Sequence, residues 1–78
     1  MRFVYNNKIY DTEKSEIVIE YITGKIKVIL CITSFGEWFY LCTERGHQDA
    51  RPLDAKYAKR ILENRNRHDL IVKYFGDI

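Results

Sequence analysis

Residues 16–33 read EIVIEYITGKIKVILCIT and decide the fold class. Two runs rich in Ile and Val, residues 16–22 and 25–33, flank Thr23-Gly24. Branched apolar residues favour strands, and a glycine between two such runs is typical of a tight turn. The segment therefore predicts an antiparallel β-hairpin.

The position of the turn predicts the register of this hairpin. With Thr23-Gly24 at its centre, three apolar pairs form one face, and Glu20 and Lys27 form an ion pair on the other. The apolar pairs are Tyr21–Ile26, Ile19–Val28 and Ile17–Leu30. A slip by one residue would move these side chains to the opposite face, so the pattern favours this pairing.

A third long strand is predicted over Glu37–Thr43, after a turn centred on Phe35-Gly36. This register extends the apolar face that the helices should cover. That face then holds Ile17, Ile19, Tyr21, Ile26, Val28, Leu30, Ile32, Phe39 and Leu41. The opposite face holds Val18, Ile22, Ile29, Cys31, Trp38, Tyr40 and Cys42.

The second face is too apolar for one that lies in water, as one face of an antiparallel sheet often does. Two explanations stay open. An N-terminal hairpin (Val4, Ile9, Tyr10) covers part of it, or the face is a protein–protein interface, including that of a homodimer. Under the second explanation Trp38 and Tyr40 are the binding residues, because large aromatic side chains are frequent anchors of interfaces.

The flanking segments complete the predicted architecture. Asn6-Asn7 suits a two-residue turn between two short strands. Residues 44–52 predict a polar loop, and Asp54 at an N-cap predicts a helix whose packing face is Ala58, Ile61 and Leu62. A second helix is predicted over Arg67–Phe75, with Asn66 as its N-cap and Gly76 as its C-terminal stop. Its predicted packing face is Leu70, Ile71, Tyr74 and Phe75.

The predicted fold class is therefore α+β. An antiparallel β-sheet of about three to five strands is followed by one or two C-terminal helices packed on one face. The chain of 78 residues is expected to form one small domain over residues 1–78, near the lower size at which a core stabilises a fold unaided.

Positive charge is concentrated in one segment, although the net charge is only +2. Residues 45–68 hold seven Lys and Arg against three Asp and Glu. One interpretation is a surface that contacts the phosphates of RNA or DNA; the other is an ordinary solvated helix face. The candidate binding residues of this segment are Arg45, Arg51, Lys56, Lys59 and Arg60.

No recognisable catalytic or metal-binding pattern is present in the sequence. Cys31, Cys42, His47 and His68 lack the close pairing that zinc ligands show, and no phosphate-binding glycine loop occurs. In the predicted register the two cysteines are diagonal neighbours on one sheet face, a poor geometry for a disulfide. We therefore expect no metal, no cofactor and no enzymatic activity.

The sequence predicts a cytoplasmic protein that does not enter the membrane. The longest apolar run, Val28–Ile32, has five residues, far fewer than a membrane span needs. The first residues show no apolar leader segment. Two cysteines in a reducing compartment are expected to be thiols.

Residues 5–16 read YNNKIYDTEKSE, and the chain later contains GEWFYL at 36–41, PLD at 52–54 and YFGD at 74–77. These pieces resemble small uncharacterised proteins of phages and conjugative elements of Gram-positive bacteria, which open on Y-N-G-K-x-Y-D-T-E-T-A. This chain departs from them by having Asn7 where glycine is usual and by a shorter central region. The resemblance implies an accessory protein of a mobile genetic element.

Anti-CRISPR inhibitors are the best-defined class of that size in such a setting, and they act by binding and blocking an effector complex. The leading hypothesis is thus a non-enzymatic binding protein, and the resemblance implies an anti-CRISPR-type inhibitor. Its expected partner is a host protein or ribonucleoprotein complex, such as a CRISPR effector. The alternative is a small nucleic-acid-binding protein that uses the basic loop and first helix.

Overall fold

Over residues 2–76, which the computed structural model describes, six strands precede two helices. The elements are β1 (Arg2–Tyr5), β2 (Lys8–Asp11), a 3₁₀ turn (Thr12–Lys14), β3 (Glu16–Thr23), β4 (Ile26–Ile32), β5 (Trp38–Glu44), β6 (His47–Leu53), α1 (Ala55–Asn64) and α2 (His68–Phe75). Strands β3-β4-β5-β6 form an antiparallel sheet in that order, and β1-β2 form a separate hairpin. The predicted α+β fold, a sheet followed by C-terminal helices, is confirmed.

The N-terminal hairpin has the predicted turn. Asn6 and Asn7 have φ angles of 50° and 64°. Positive φ at both central residues is what a type I′ turn requires, and Asn tolerates it better than most residues. The strands pair Phe3 with Tyr10, so both rings lie on one side of the hairpin.

The β3–β4 hairpin is confirmed, but its predicted register is wrong by two residues. Tyr21 pairs with Val28, and Thr23 remains in the strand opposite Ile26. The turn centre is therefore Gly24-Lys25, with Gly24 at φ 62° in the first central position. A type II′ turn needs glycine there, which explains the shift.

A β-bulge at Val18 changes which side chains of β3 are buried. The pairing shifts between Ile17 and Ile19, so the extra residue, Val18, enters the core beside Ile19, each 8% exposed. A bulge places two residues opposite one and reverses the alternation of faces. Ile17, predicted in the core, is therefore 56% exposed.

The β4–β5 connection contains one residue more than predicted. Ser34, Phe35 and Gly36 form a three-residue loop, in which the Gly36 amide donates to the Thr33 carbonyl at 3.0 Å. Gly36 has φ 83°, the left-handed position that ends such a loop. The Thr33 amide then donates to the Glu37 carbonyl at 2.8 Å and restarts the strand pairing.

This extra loop residue slips β5 by one position and turns every β5 side chain to the other face. Ile32 pairs with Trp38, and Leu30 pairs with Tyr40. The predicted faces of β5 are therefore wrong. Trp38 and Tyr40 lie on the helix-covered side, whereas Phe39 and Leu41 lie on the opposite side.

The predicted polar loop over residues 44–52 is instead a fourth strand of the sheet. Arg45 and Gly46, at φ 50° and 80°, form the turn, and β6 pairs with β5 along its whole length. β6 is an edge strand and carries mostly polar side chains. Pro52 has no amide hydrogen to donate, and β6 accommodates it because an edge strand pairs on one side only.

Both faces of the sheet are covered. On one face α1 and α2 bury a cluster that consists of Val18, Ile19, Leu30, Trp38, Ala58, Leu62 and Ile71. On the other face the β1–β2 hairpin covers Cys31, Phe39 and Leu41 with Tyr10. Of the two explanations for the second apolar face, the structure supports coverage by the N-terminal hairpin.

The two helices follow the predicted boundaries closely. Asp54 occupies the N-cap of α1, although its side chain makes no capping hydrogen bond. Arg67, not Asn66, precedes α2, because Asn66 adopts a left-handed φ of 56° in the link between the helices. Gly76 caps α2 with φ 65°, as predicted. The predicted packing faces of both helices are confirmed.

Replacing Trp38 with Ala is expected to lower the free energy of unfolding by about 3–5 kcal/mol, because the variant loses a buried indole and leaves a cavity under α2. Urea denaturation followed by circular dichroism measures the change. Phe35→Ala, at an exposed position of the adjoining loop, is the control and should change stability by less than about 0.5 kcal/mol. Equal effects of both substitutions would contradict the observed β5 register.

Candidate functional site

Trp38 is a core residue and not an exposed anchor. It is 5% exposed, and its ring stacks on Phe75 with centroids 5.3 Å apart and planes 2° apart. Tyr74 meets the indole edge-on at 5.5 Å. Trp38 therefore cannot act as an exposed interface anchor, whereas Tyr40 is only partly buried.

The predicted basic residues lie on three different parts of the fold. Arg45 lies in the β5–β6 turn, Arg51 lies on β6, and the other three lie on α1: Lys56, Lys59 and Arg60. The Arg51 Nε atom lies 3.0 Å from Asp49 Oδ2. This hydrogen bond raises the pKa of Arg51 and neutralises its charge locally.

One part of the predicted set does converge. Tyr40 and Arg60 line a groove of about 330 Å³ between α1 and the helix-covered face of the sheet. We name it the tyrosine–arginine groove; its lining comprises Tyr21, Val28, Tyr40, Cys42, Leu53, Tyr57, Arg60, Ile61 and Asn64. Tyr21 and Tyr57 were not predicted as site residues, because nothing in the sequence shows that β3 and α1 meet here.

Arg65, which was not among the predicted binding residues, contacts one of the tyrosines that line the groove. The guanidinium carbon of Arg65 lies 3.9 Å from the centre of the Tyr21 ring, a close cation–π contact. Burial raises the pKa of the Tyr21 hydroxyl, and the charge of Arg65 acts in the opposite direction. The contact therefore joins the end of α1 to β3 and places a cation beside the groove.

A second surface lies on the other side of the molecule, at the N-terminal hairpin. We name it the Phe35 patch: Val4, Ile9 and Phe35, which are 65%, 54% and 90% exposed. Val4 and Ile9 are cross-strand partners, and Ile9 and Phe35 line the same shallow groove of about 240 Å³. Alternation along the hairpin turns Val4 and Ile9 away from the core, because Phe3 and Tyr10 face it.

The two cysteines lie on opposite faces of the sheet, which corrects their prediction as diagonal neighbours on one face. Cys31 pairs with Phe39 on the hairpin-covered side, whereas Cys42 lines the tyrosine–arginine groove. Burial raises the pKa of Cys31 to about 11, and burial followed by the charge of Asp49 raises that of Cys42. Within residues 2–76, no three His, Cys, Asp or Glu side chains come together as metal ligands would.

No protein-family model, curated protein or solved structure matches the chain. The predicted kinship with proteins of mobile elements therefore stays a prediction. Among residues 2–76, neither helix has the length and apolar character needed to cross a membrane.

In the native protein we expect N-ethylmaleimide to modify Cys42 slowly and Cys31 only after denaturation. Cys31 is 1% exposed, and its raised pKa leaves little thiolate at neutral pH. Raising the pH from 7 to 9 should speed the reaction of Cys42, because more of its thiol ionises. Intact mass spectrometry counts the adducts.

Cys42→Ser is the matched control for the labelling experiment and should take up no reagent while folded. Two adducts that form at equal rates in the native wild-type protein would contradict the placement of Cys31 in the core.

Proposed function

We propose that this protein is a non-enzymatic binding protein that acts by contact with another protein through the Phe35 patch. The observation that supports this most directly is the 90% exposure of Phe35 at the tip of the β4–β5 loop. A phenylalanine gains stability from burial, so one held almost wholly in water contributes little to the fold.

The loop does not need an aromatic side chain at this position. Thr33 Oγ1 accepts hydrogen bonds from the amides of Phe35 and Glu37 at 3.3 and 3.1 Å, and Gly36 supplies the left-handed residue. Backbone groups and a threonine thus hold the loop, whatever side chain residue 35 carries. The phenyl ring is presented to solvent on a structured turn.

The residues around Phe35 are arranged as an apolar centre with a charged border, as in many protein-binding surfaces. Val4 and Ile9 extend the apolar centre, and charged side chains border the groove beside it: Arg2, Asp11 and Lys14. Interfaces commonly combine an apolar, aromatic-rich centre with a polar rim. Single apolar residues scattered over a surface are normal and do not indicate a binding site, but Val4, Ile9 and Phe35 lie next to one another.

The patch is also held in a defined shape. Lys8 Nζ lies 2.7 Å from Glu37 Oε1 and links the N-terminal hairpin to the residue that follows the loop. The stacked pair Phe3 and Tyr10 lies against Phe39 beneath the hairpin. A surface already held in place loses less conformational entropy on binding.

The absence of catalysis remains part of this proposal, and the chemistry of the thiols supports it. Both cysteine pKa values are raised, which disfavours the reactive thiolate at neutral pH. The class of target rests on the sequence resemblance alone. It favours a host effector complex, as an anti-CRISPR-type inhibitor from a mobile element would bind.

To test the proposal, a photo-crosslinking phenylalanine analogue is placed at position 35 and, as the matched control, at position 22. Ile22 is also an exposed apolar residue, 70% exposed, but it lies on β3 outside the patch. We expect position 35 to crosslink a defined partner and position 22 not to do so. Mass spectrometry identifies the crosslinked protein.

Calorimetry with the purified partner then measures the contribution of the ring. Phe35→Ala should weaken binding by about 30-fold or more, the equivalent of an anchor residue worth roughly 2 kcal/mol, while Ile22→Ala should have little effect. Unchanged affinity in Phe35→Ala would overturn the proposal. Light scattering separates a target complex from self-association: a dimer that Phe35→Ala dissolves would identify a second copy as the partner.

A further inference from the structure

We propose that the tyrosine–arginine groove binds single-stranded nucleic acid, with a base stacked on its tyrosines and phosphates held by Arg60 and Arg65. This site is separate from the Phe35 patch. The proposal rests on which side chains the fold brings together between α1 and the sheet, since they are far apart in the sequence.

The first observation is the aromatic content of the groove. Tyr21, Tyr40 and Tyr57 all line it, and Tyr57 is 51% exposed. Its volume of about 330 Å³ lies at the lower end of the range for small-ligand sites, about 300–1,000 Å³. Proteins that bind single strands without sequence preference use such aromatic rings as platforms on which bases stack.

The second observation is the arrangement of α1. Tyr57, Arg60 and Asn64 follow each other at intervals of three and four residues, so all three point to the groove from one side of the helix. Lys56 lies one turn before Arg60. A strand whose base enters the groove would therefore run its phosphates along a basic side of α1.

The third observation is that the relevant cations keep their hydrogen-bonding capacity. None of the ion pairs found in residues 2–76 includes Arg60 or Arg65, whereas Arg51 is paired with Asp49. Arg65 uses the face of its guanidinium on Tyr21. Its N–H donors lie in the guanidinium plane and remain directed away from the ring, where a phosphate can accept them.

These features favour a single strand over a duplex. The floor of the groove is apolar and aromatic, formed by Val28, Leu53 and Ile61 with the tyrosines. A base can occupy it only when its ring faces are exposed, and a duplex keeps them stacked. An acidic peptide would satisfy the arginines but would offer no planar ring for the tyrosines.

Fluorescence anisotropy with labelled twelve-residue oligonucleotides tests the proposal: oligo-dT, oligo-U, a duplex, and an abasic strand with the same phosphates. We expect micromolar binding of the two single strands at 50 mM salt and weaker binding at 200 mM. The duplex and the abasic strand should bind at least tenfold more weakly. Equal binding of the abasic strand would overturn the stacking role.

Two variants test the named residues. Tyr57→Ala should weaken binding about 5- to 150-fold, the range for loss of one base-stacking side chain. Arg60→Gln should reduce the slope of log affinity against log salt by about one, as expected for one lost phosphate contact. Tyr5→Ala and Lys14→Gln are the matched controls; both residues are exposed and lie outside the groove, and neither should change affinity.

Phe35→Ala should bind the oligonucleotides like the wild-type protein, which separates this site from the proposed protein-binding patch. Tyr57 is half exposed, and thermal melts should show Tyr57→Ala folded. No binding by the wild-type protein, or binding that Tyr57→Ala and Arg60→Gln leave intact, would overturn the proposal. Preferential binding of an acidic peptide to the groove would overturn it as well.

Discussion

The loop between β4 and β5 determines which side chains of β5, a central strand, lie on each face of the sheet. Thr33 holds it from both ends, since its amide and carbonyl bond to Glu37 and Gly36 and its hydroxyl accepts two further amides. Because side chains alternate along a strand, the length of this loop sets the face of every β5 residue. With three residues in the loop, Trp38 faces the helices and Phe39 faces the N-terminal hairpin.

Both cores depend on that placement. On one side Trp38 packs against α2 through its contacts with Tyr74 and Phe75. On the other side Phe39 packs against the N-terminal hairpin through its contacts with Phe3 and Tyr10. Aromatic rings bury large areas, which suits a chain this short, where a single-sided core would cover little of the sheet. Most of both sheet faces is thereby covered, and the tyrosine–arginine groove at the edge of α1 and the Phe35 patch remain open.

Local sequence signals predicted both helices and every strand except β6, but not the register of the sheet. Ile- and Val-rich runs, Asn6-Asn7, Asp54 and Gly76 each carry a local physical preference, and the structure places a strand, turn or helix end where each one indicates. The registers failed where one residue changes a turn. Gly24 occupies the first rather than the second turn position, Val18 forms a bulge, and Ser34 lengthens the β4–β5 loop.

β6 and the sites escaped prediction for a different reason. An edge strand with mostly polar side chains lacks the apolar alternation that marks a strand, so residues 47–53 resemble a loop in sequence. The sites are assembled from distant parts of the chain, as the contact of Tyr21 with Arg65 shows. Charge and aromatic content indicated Tyr40 and Arg60, but only the packing of α1 on the sheet brings them into one groove.

The two proposed sites follow from the same loop. Its three-residue form exposes Phe35 at the tip, beside the hairpin that Phe39 anchors. The register it sets also turns Tyr40 toward α1, where it lines one groove with Tyr57 and Arg60. A two-residue turn would have placed Tyr40 under the N-terminal hairpin and Leu41 opposite Leu30 in its place, so the groove would lack one of its three tyrosines. The surfaces for protein and for nucleic acid are thus separate in space and linked through the register of β5.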